Sequence, residues 1–238
     1  MIRFFMNKSE KVVFNWSGGK DSALALQKLM KDGRYEVVSL LTTINSDTGT
    51  SSIHSIPVTI LEKQAQSIGI PLYKVWVSKD LKNYEASMTE VVTHFKKRGV
   101  SCFAFGDIFL ADIKAYREGK LNPLGIEVLE PLWNMTSEEV IRDFLASGIK
   151  TKLIVTQADK LTAAYIGKDL DSELVASFPE NVDLCGENGE YHTLAYDGDI
   201  FRNAVEFQIS ETIMVSHDIL LDSGETKRFD YWQAVITS

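Results

Sequence analysis

The sequence predicts an α/β fold with a doubly wound parallel sheet, followed by a smaller domain of α+β character. Up to about residue 156, short β-branched and aromatic runs alternate with amphipathic helical segments, which is the pattern of a parallel sheet with crossover helices. From 157 to 182 this alternation breaks into short pieces, and the last two predicted strands have no long helix between them. We therefore expect one domain over residues 1–121 and a second over residues 122–238.

The elements of the first half follow from residue type and spacing. Each predicted strand is a short run rich in apolar residues, and each predicted helix repeats apolar residues three and four positions apart. Glycine or Asp-Gly follows several of the helices, as expected where a helix ends. The predicted strands are Val12–Phe14, Glu36–Ile44, Pro71–Val77, Val100–Phe105 and Glu127–Glu130. The predicted helices are Ala23–Leu29, Pro57–Ile68, Tyr84–Arg98, Phe109–Glu118 and Val140–Ser147.

The second half is predicted from fewer signals. Thr136–Glu139 has the pattern of a capping box, in which a threonine and a glutamate close the start of a helix. Lys152–Thr156, Glu206–Val215 and Arg228–Thr237 are β-rich and predict strands. Asp183–Asp199 is dense in glycine and acidic residues, and the pattern there assigns no helix or strand.

Composition narrows the class of protein. Of 238 residues 45% are hydrophobic, which is ordinary for a globular chain with a real core, and the formal net charge is −8. No cluster of Lys and Arg indicates a broad nucleic-acid surface. The two cysteines, Cys102 and Cys185, are far apart, which argues against a zinc ribbon, a redox pair or a disulfide framework. With no signal peptide and no apolar run near ~18 residues, we expect a cytoplasmic protein with no membrane partner; homo-oligomers stay open.

Six residues between the first strand and the first helix have the chemistry of a phosphate-binding loop. A helix N-terminus offers unpaired N–H groups to an anion, paired glycines allow close backbone approach, and hydroxyls and a lysine add donors and charge. The order differs from the P-loop G-x-x-x-x-G-K pattern, because the glycines directly precede the lysine. The alternative is an ordinary strand-to-helix turn in which Asp21 or Ser22 caps the helix. The loop residues are Ser17, Gly18, Gly19, Lys20, Asp21 and Ser22.

Acidic residues near the expected ligand edge are the candidates for holding Mg²⁺. Asp21 follows the lysine of the loop, and Asp107 follows the predicted strand Val100–Phe105. Because loops after parallel strands collect at one edge of the sheet, Asp107 is expected to contact Mg²⁺ or a ribose, or alternatively to cap the next helix. His54 also follows a strand and its loop. It either borders the ligand or serves as a cap or a solvent-exposed residue.

A second motif, Cys185–Thr193, packs two carboxylates, an amide, an imidazole, a hydroxyl and two glycines into nine residues. Such groups are costly to bury unless they are paired, and the apolar residues on both sides indicate partial burial. We therefore expect the motif to lie in a cleft, with an exposed Asn-Gly turn as the alternative.

The loop Ser17–Ser22, SGGKDS, resembles the signature of the PP-loop ATP pyrophosphatases. With GDI at Gly106–Ile108, PLW at Pro131–Trp133 and GENGEYHT at Gly186–Thr193, most of the chain is similar to the diphthine–ammonia ligase family. This resemblance implies an adenine nucleotide alpha hydrolase-like domain that uses ATP and Mg²⁺. It also implies adenylation of a carboxylate, release of AMP and pyrophosphate, and amide formation with ammonia.

The resemblance also assigns roles to residues. It implies that Lys20 and the loop hold the departing diphosphate, that Asp21 helps to place Mg²⁺, and that Glu190 or His192 is the general base. Acceptor or ammonia contacts are expected from Glu187, Asn188, Gly189, Glu190 and Thr193.

The sequence departs from the diphthamide branch at two places. In that branch the second motif reads EGGE, followed by an aromatic residue, Glu and Thr. In this chain it reads ENGEYHT, with Asn188 in place of a glycine and His192 in place of the glutamate, and this sequence resembles that of a bacterial branch. The segment Phe109–Glu118 also lacks the Tyr-Gln-Arg run of that branch. The expected acceptor is therefore a different, unidentified carboxylate, joined to ammonia or an amine. The competing hypotheses are a PP-loop tRNA-modifying enzyme and a non-catalytic ATP sensor.

Overall fold

The computed structural model of the chain describes residues 9–51, 55–78, 84–220, 224 and 226–237. His54, which the sequence analysis placed just after the polar loop that follows the second predicted strand, lies outside these ranges. Over the ranges that are described, the structure contains no helix with both the length and the apolar character needed to cross a membrane.

Five parallel strands form the first sheet, in the order β3-β2-β1-β4-β5. All five runs predicted from residue type are present. Alternate residues of β1 enter two different cores, with Val12 and Phe14 on one face and Val13 on the other. Helices cover both faces, so the prediction of a doubly wound sheet is confirmed. The strands are β1 (Glu10–Asn15), β2 (Tyr35–Asn45), β3 (Leu72–Val77), β4 (Val100–Ala104) and β5 (Glu127–Leu129).

The helices that cover this sheet differ in which face they bury. The first two pack their apolar residues into the core around Phe14, and the third packs Val91, Val92 and Phe95 against Val13. The capping box predicted at Thr136 is confirmed, since its hydroxyl accepts from Glu139 N and the Glu139 carboxylate accepts from Thr136 N. The helices are α1 (Lys20–Lys31), α2 (Val58–Ile68), α3 (Tyr84–Lys96), α4 (Ala111–Leu121), α5 (Ser137–Ala146) and α6 (Ser172–Ala176).

The strand order places a topological switch point between β1 and β4. The chain adds β2 and β3 on one side of β1, and then crosses to add β4 and β5 on the other side. At such a point the loops that leave the two strands diverge and open a crevice outside their carboxyl ends. The loop at Ser17 and the loop at Gly106 are the two that leave β1 and β4.

A second, antiparallel sheet has the order β7-β6-β9-β8, which confirms the α+β character of the second half. One of its strands, β7, lies in the stretch Asp183–Asp199, to which the sequence pattern assigned no element. Its alternate residues Tyr191, Thr193 and Ala195 are buried, but the polar residues of the motif hid this pattern in the sequence. The strands are β6 (Lys150–Gln157), β7 (Tyr191–Asp197), β8 (Gln208–Leu220) and β9 (Thr226–Thr237).

The two sheets share one hydrophobic core, in which residues of β1, α1 and α2 pack with residues of β6 and β7. A buried polar joint fixes β7 against the loop after β1, because Ala195 N donates to Gly18 O at 2.8 Å. Gln64 completes this joint. Its amide donates to Gly18 O and Ala195 O and accepts from Trp16 Nε1. The phosphate loop is therefore built against the second half of the chain.

The division at residues 121 and 122 stays a prediction. The first sheet nevertheless extends beyond that point, because β5 pairs in parallel with β4 through Cys102, Phe103 and Ala104. Strand β5 therefore belongs to the first sheet, although it lies beyond residue 121.

Candidate active site

The crevice at the switch point is a cleft of about 390 Å³, within the range of nucleotide and substrate sites. Its lining comes from the ends of β1, β2 and β4, the start of α1, one face of α4, and the segment that leads into β7. Of the predicted site residues, nine line this cleft: Ser17, Lys20, Asp21, Ser22, Asp107, Glu187, Gly189, His192 and Thr193. Four others lie behind the lining: Gly18, Gly19, Asn188 and Glu190.

The loop after β1 ends at Gly19, which is the extended residue before helix α1 and makes no side-chain cap. The prediction that Asp21 or Ser22 caps the helix is wrong, because α1 already begins at Lys20. Ser22 instead accepts a hydrogen bond from Ser17 N at 3.2 Å, which closes the loop on itself. Residues at the start of α1 therefore present N–H groups and hydroxyls to the cleft, the arrangement that suits a phosphate.

Gly18 is required for the shape of this loop. Its φ of 85° lies in the left-handed region, and a Cβ there would meet the Gln64 amide and Ile56 at 2.9 Å. Any larger residue would strain the backbone and push on the joint between the two halves. Although Gly18 does not line the cleft, it sets the path of the loop that does.

Lys20 is almost fully buried and joins the two motifs. Its Nζ donates to Asp21 Oδ2 at 2.7 Å and to the backbone oxygen of Cys185, and it lies 5.2 Å from the centroid of the Tyr191 ring. Burial is the largest single influence and lowers the pKa of Lys20, but the charge and hydrogen bond of Asp21 together with Tyr191 and Cys185 raise it by more in sum, so the pKa lies above its ordinary value. Lys20 therefore remains a cation at neutral pH.

Thr193 caps helix α1 from the other half of the chain. Its Oγ1 accepts a hydrogen bond from Lys20 N at 2.9 Å, in a buried position. A threonine hydroxyl is a good acceptor for a first-turn N–H group, but it normally comes from the residue just before the helix. This contact and the Lys20–Cys185 bond place the segment Gly186–Thr193 directly against the loop, as the sequence analysis expected.

The turn that precedes β7 is organised by two inward-facing carboxylates. Glu190 is buried, and its oxygens accept from Asp183 N, Asn188 N and Asn188 Nδ2 at 3.0 to 3.1 Å. Asp183 accepts from Cys185 N at 2.9 Å, from Glu187 N at 3.2 Å and, through its other oxygen, from Ser137 Oγ. Glu190 therefore holds the turn together rather than facing the cleft. Asn188 donates to Glu190 within the same turn, and it is exposed to solvent.

Glu187 and His192 line the cleft and are the carboxyl and imidazole candidates for acid–base chemistry in the motif; Cys185 and Tyr191 line it too, and burial raises the pKa values of their thiol and phenol. Burial raises the pKa of Glu187 to about 7, and the nearby Asp21 carboxylate adds to the effect while Lys20 opposes it. Burial also lowers the pKa of His192 to about 4, with the Lys20 charge acting in the same direction. At neutral pH the imidazole is neutral, whereas the Glu187 carboxyl is divided between its two protonation states.

The raised pKa of Glu187 predicts a pH-dependent cost in stability. Between an unfolded pKa near 4.5 and a folded pKa near 7, the folded state binds more protons, so the free energy of unfolding falls as pH rises. A shift of this size corresponds to about 3 kcal/mol, which solvent at this partly exposed group reduces to about 1–2 kcal/mol. Glu187→Gln should therefore be more stable than the natural chain by this amount at pH 8, and about equal at pH 5.

Urea unfolding at pH 5 and pH 8 measures this difference. Glu206→Gln is the matched control, because Glu206 is an exposed glutamate outside the cleft and should change little at either pH. An unchanged or negative stability difference for Glu187→Gln at pH 8 would contradict the assigned burial of this carboxyl.

The cleft also contains a carboxylate oxygen that fits a hard cation. Asp21 Oδ2 pairs with Lys20, whereas Asp21 Oδ1 is buried and has no hydrogen-bond partner among the described residues. A buried carboxylate oxygen without a donor is costly, and Mg²⁺ prefers such oxygens as ligands. The chemistry of Asp21 at the start of α1 therefore fits a magnesium ion held beside a phosphate.

Asp107 lines the cleft at the end of β4 and forms an ion pair with Arg117 on α4. Its alternative role as a helix cap is wrong, because Leu110 is the residue before α4 and that helix has no side-chain cap. Gly106 brings this loop close to α1, since a Cβ there would lie 3.0 Å from Ser22 N. Asp107 thus lies on the loop that packs against the start of α1.

Several lining residues were not found by sequence reasoning. Arg117, Tyr84 and Phe105 lie on a helix or strand end that carries no recognisable motif, and Trp16 was treated only as part of the strand. An arginine on an amphipathic helix is ordinarily a surface residue, so nothing in the local pattern distinguishes Arg117. Only the packing of α4 beside β4 shows that it faces the cleft.

Two family models match this chain. The family model described as diphthamide synthase N-terminal domain matches residues 10–127, and the model described as diphthamide synthase C-terminal domain matches residues 136–222. The solved structure of the U34-tRNA thiolase NcsA from Methanococcus maripaludis gives a TM-score of 0.38 at 16% identity, over 58% of this chain and 57% of that one.

Among curated relatives, the diphthine–ammonia ligase of Schizosaccharomyces pombe is 27% identical over 225 residues, which are 85% of this chain and 37% of that protein. The human diphthine–ammonia ligase is 26% identical over 227 residues, or 85% of this chain and 84% of that protein. The chain thus spans little more than a third of the yeast relative and most of the human one. Since the two family models together account for most of its length, the chain belongs to the diphthamide synthase family.

Proposed function

We propose that this protein is an ATP-dependent amide-forming ligase, which adenylates a carboxylate, releases pyrophosphate and transfers the acyl group to ammonia or an amine. The observation that carries this proposal is the single cleft in which Lys20 and its loop share a wall with Glu187 and His192. A site for a polyphosphate and a set of acid–base groups are both needed for such a reaction, and here they are adjacent. The names of the curated relatives support the same reaction class.

The start of α1 is the proposed diphosphate site. Ser17 and Ser22 supply hydroxyls, Gly18 and Gly19 set the backbone, and Lys20 supplies a permanent positive charge that offsets charge on the leaving pyrophosphate. Asp21, with Asp107 in the same cleft, is proposed to hold Mg²⁺, which would neutralise phosphate charge when bound.

The proposed reaction has two balanced steps. An oxygen of the acceptor carboxylate attacks the α-phosphorus of ATP, and the bond from that phosphorus to the oxygen of the departing pyrophosphate breaks. The nitrogen of ammonia then attacks the activated acyl carbon, the bond to AMP breaks, and the nitrogen loses a proton. Because ammonium has no lone pair for attack, a base in the cleft must first remove one of its protons.

We propose Glu187 as this base in place of Glu190 or His192. Glu187 faces the cleft and has a pKa of about 7, which suits proton transfer at neutral pH. Glu190 directs its carboxylate into the turn, and the pKa of His192, about 4, makes the imidazole a weak base. His192 is then proposed to position the acceptor, and Thr193 is proposed to position the start of α1.

The products formed from ATP labelled at the α-phosphate test this function. The purified protein is incubated with labelled ATP, Mg²⁺, ammonium chloride and a panel of monocarboxylates, and the products are separated by chromatography. We expect AMP and pyrophosphate, with a rate that depends on both the carboxylate and ammonium. Formation of ADP and phosphate would contradict the proposal, and ATP binding without any cleavage would favour the sensor hypothesis.

A further inference from the structure

Arg117 is a second cation in the cleft, and the proposed diphosphate site does not use it. Among the described residues that line the cleft, the cationic side chains are Lys20 and Arg117. Arg117 lies on α4. The lining residues beside it are Tyr84, Phe105 and Leu110, which are aromatic or apolar, whereas the phosphate loop is polar. One part of the cleft is therefore polar and suited to phosphates, and another combines apolar walls with a guanidinium.

The guanidinium of Arg117 is held in a fixed position. Its Cζ lies 4.0 Å from the centroid of the Phe105 ring, and its Nη1 pairs with Asp107 and lies 3.9 Å from Glu130 Oε1. Burial lowers the pKa of Arg117 to about 10, against the opposing influence of Glu130, so the group remains a cation at neutral pH. A stacked, partly buried guanidinium is well ordered for recognising a planar anion.

Part of this guanidinium is available for a ligand. Arginine has five N–H donors, and the ion pairs of Arg117 with Asp107 and Glu130 both use Nη1. In the part of the chain that the structure describes, Nε and Nη2 make no hydrogen bond. These two donors are not among the buried atoms without a partner, so they are open to the cleft and can donate to a bound molecule.

The charges around Arg117 allow one further anion when the nucleotide is bound. The Glu130 side chain is 1% exposed, but Lys114 already reaches it at 3.1 Å, so Arg117 mainly balances Asp107. Asp107 is one of the acids proposed to hold Mg²⁺, and a cation there would offset the charge of Asp107. The guanidinium would then have positive charge available for a carboxylate.

We propose that Arg117 binds the carboxylate of the acceptor through the free edge of its guanidinium, and that Tyr84, Phe105 and Leu110 contact the body of the acceptor. The acceptor is accordingly a carboxylic acid with an apolar or aromatic body. This inference rests on the proposed ligase function, since it assigns the carboxylate that the ligase would activate. The planar, two-donor edge of an arginine matches the two oxygens of a carboxylate.

The test measures carboxylate binding rather than turnover. The probes are acetate and benzoate, titrated into the protein with and without the ATP analogue α,β-methylene-ATP and Mg²⁺, and followed by ligand-observed NMR. We expect benzoate to bind more tightly than acetate, and Arg117→Gln to weaken binding of benzoate at least tenfold. The affinity for the analogue, measured by calorimetry, should stay within about twofold, which separates a role in acceptor binding from a role in nucleotide binding.

Lys114→Gln is the matched control. Lys114 is one turn earlier on α4 and also pairs with Glu130, but it does not line the cleft. We expect Lys114→Gln to leave benzoate binding unchanged. Because Arg117→Gln leaves Asp107 without its partner, Arg117→Lys serves as a second variant that keeps the charge, and it should weaken benzoate binding several-fold while remaining folded.

The outcomes distinguish this inference from the proposed function. Equal benzoate affinity in the natural chain and both Arg117 variants would overturn the inference. The inference would also be overturned if neither acetate nor benzoate bound the natural chain. Loss of analogue binding in Arg117→Gln with benzoate binding intact would assign Arg117 to the nucleotide and also overturn it. If the natural chain binds benzoate through Arg117 but does not bind the analogue, the proposed ligase function fails while Arg117 remains an anion site.

Discussion

Replacing Lys20 with methionine should lower the rate of pyrophosphate release by about 10²–10³-fold, the usual consequence of removing one positioned donor that stabilises developing charge. Lys20 is the cation at the start of α1, and its nearest partners belong to both motifs, Asp21 and Cys185. The substitution should also destabilise the fold, because Asp21 would lose its counter-charge. A loss near 3 kcal/mol, the lower end for a buried ion pair, is expected since Asp21 is 23% exposed.

A double variant separates these two effects. Lys20→Met with Asp21→Asn removes both charges, so urea unfolding should show recovery of most of the lost stability while pyrophosphate release stays low. Lys28→Met is the matched control: it lies two turns later on α1, pairs with Asp143 at 2.6 Å and does not line the cleft. That variant should retain the natural rate. Recovery of the rate together with stability in the double variant would show that Lys20 has only a structural role.

The sequence predicted the part of this molecule that depends on local pattern. Strand β1 is a short apolar run, a polar turn follows it, and α1 begins at Lys20, three residues before the predicted start at Ala23. These features are decided by neighbours in the chain. The doubly wound sheet followed from the alternation of such units. Strand β7 was missed because the residues that bury its inner face, Tyr191 and Thr193, stand among polar groups.

Contacts between distant segments could not be predicted in the same way. That Thr193 caps a helix 173 positions earlier, and that Gln64 joins the loop to β7, depend on how the two sheets pack. The same limit explains the two glutamates of the motif. Both were expected to serve chemistry, but the direction of each side chain is fixed by the turn, which points Glu187 into the cleft and Glu190 away from it.

Glu190→Gln should lower the free energy of unfolding by about 2–3 kcal/mol. Glu187→Gln, by contrast, is expected to raise it at pH 8. The Glu190 carboxylate accepts from Asp183 N, Asn188 N and Asn188 Nδ2, and a glutamine must turn its NH₂ group toward at least one of these donors. Hydrogen bonds to a charged group are worth about 1.5–3 kcal/mol, and the donor left facing another donor adds to the loss. Urea unfolding of both variants at pH 8 measures the contrast.

The pH dependence of turnover then decides between a positioning role and a catalytic role for Glu190. If Glu187 is the base, turnover at saturating ammonium, where the pH-dependent supply of free ammonia does not limit the rate, should rise with pH through about 7 as the Glu187 carboxyl ionises, since its deprotonated form accepts the proton. Glu190→Gln should lower the rate but keep this rise, because the loosened turn misplaces Glu187 without removing it. Glu187→Gln should abolish the rise. A Glu190→Gln variant that keeps full stability but loses the rise would instead make Glu190 the base, and the turn a secondary feature of that carboxylate.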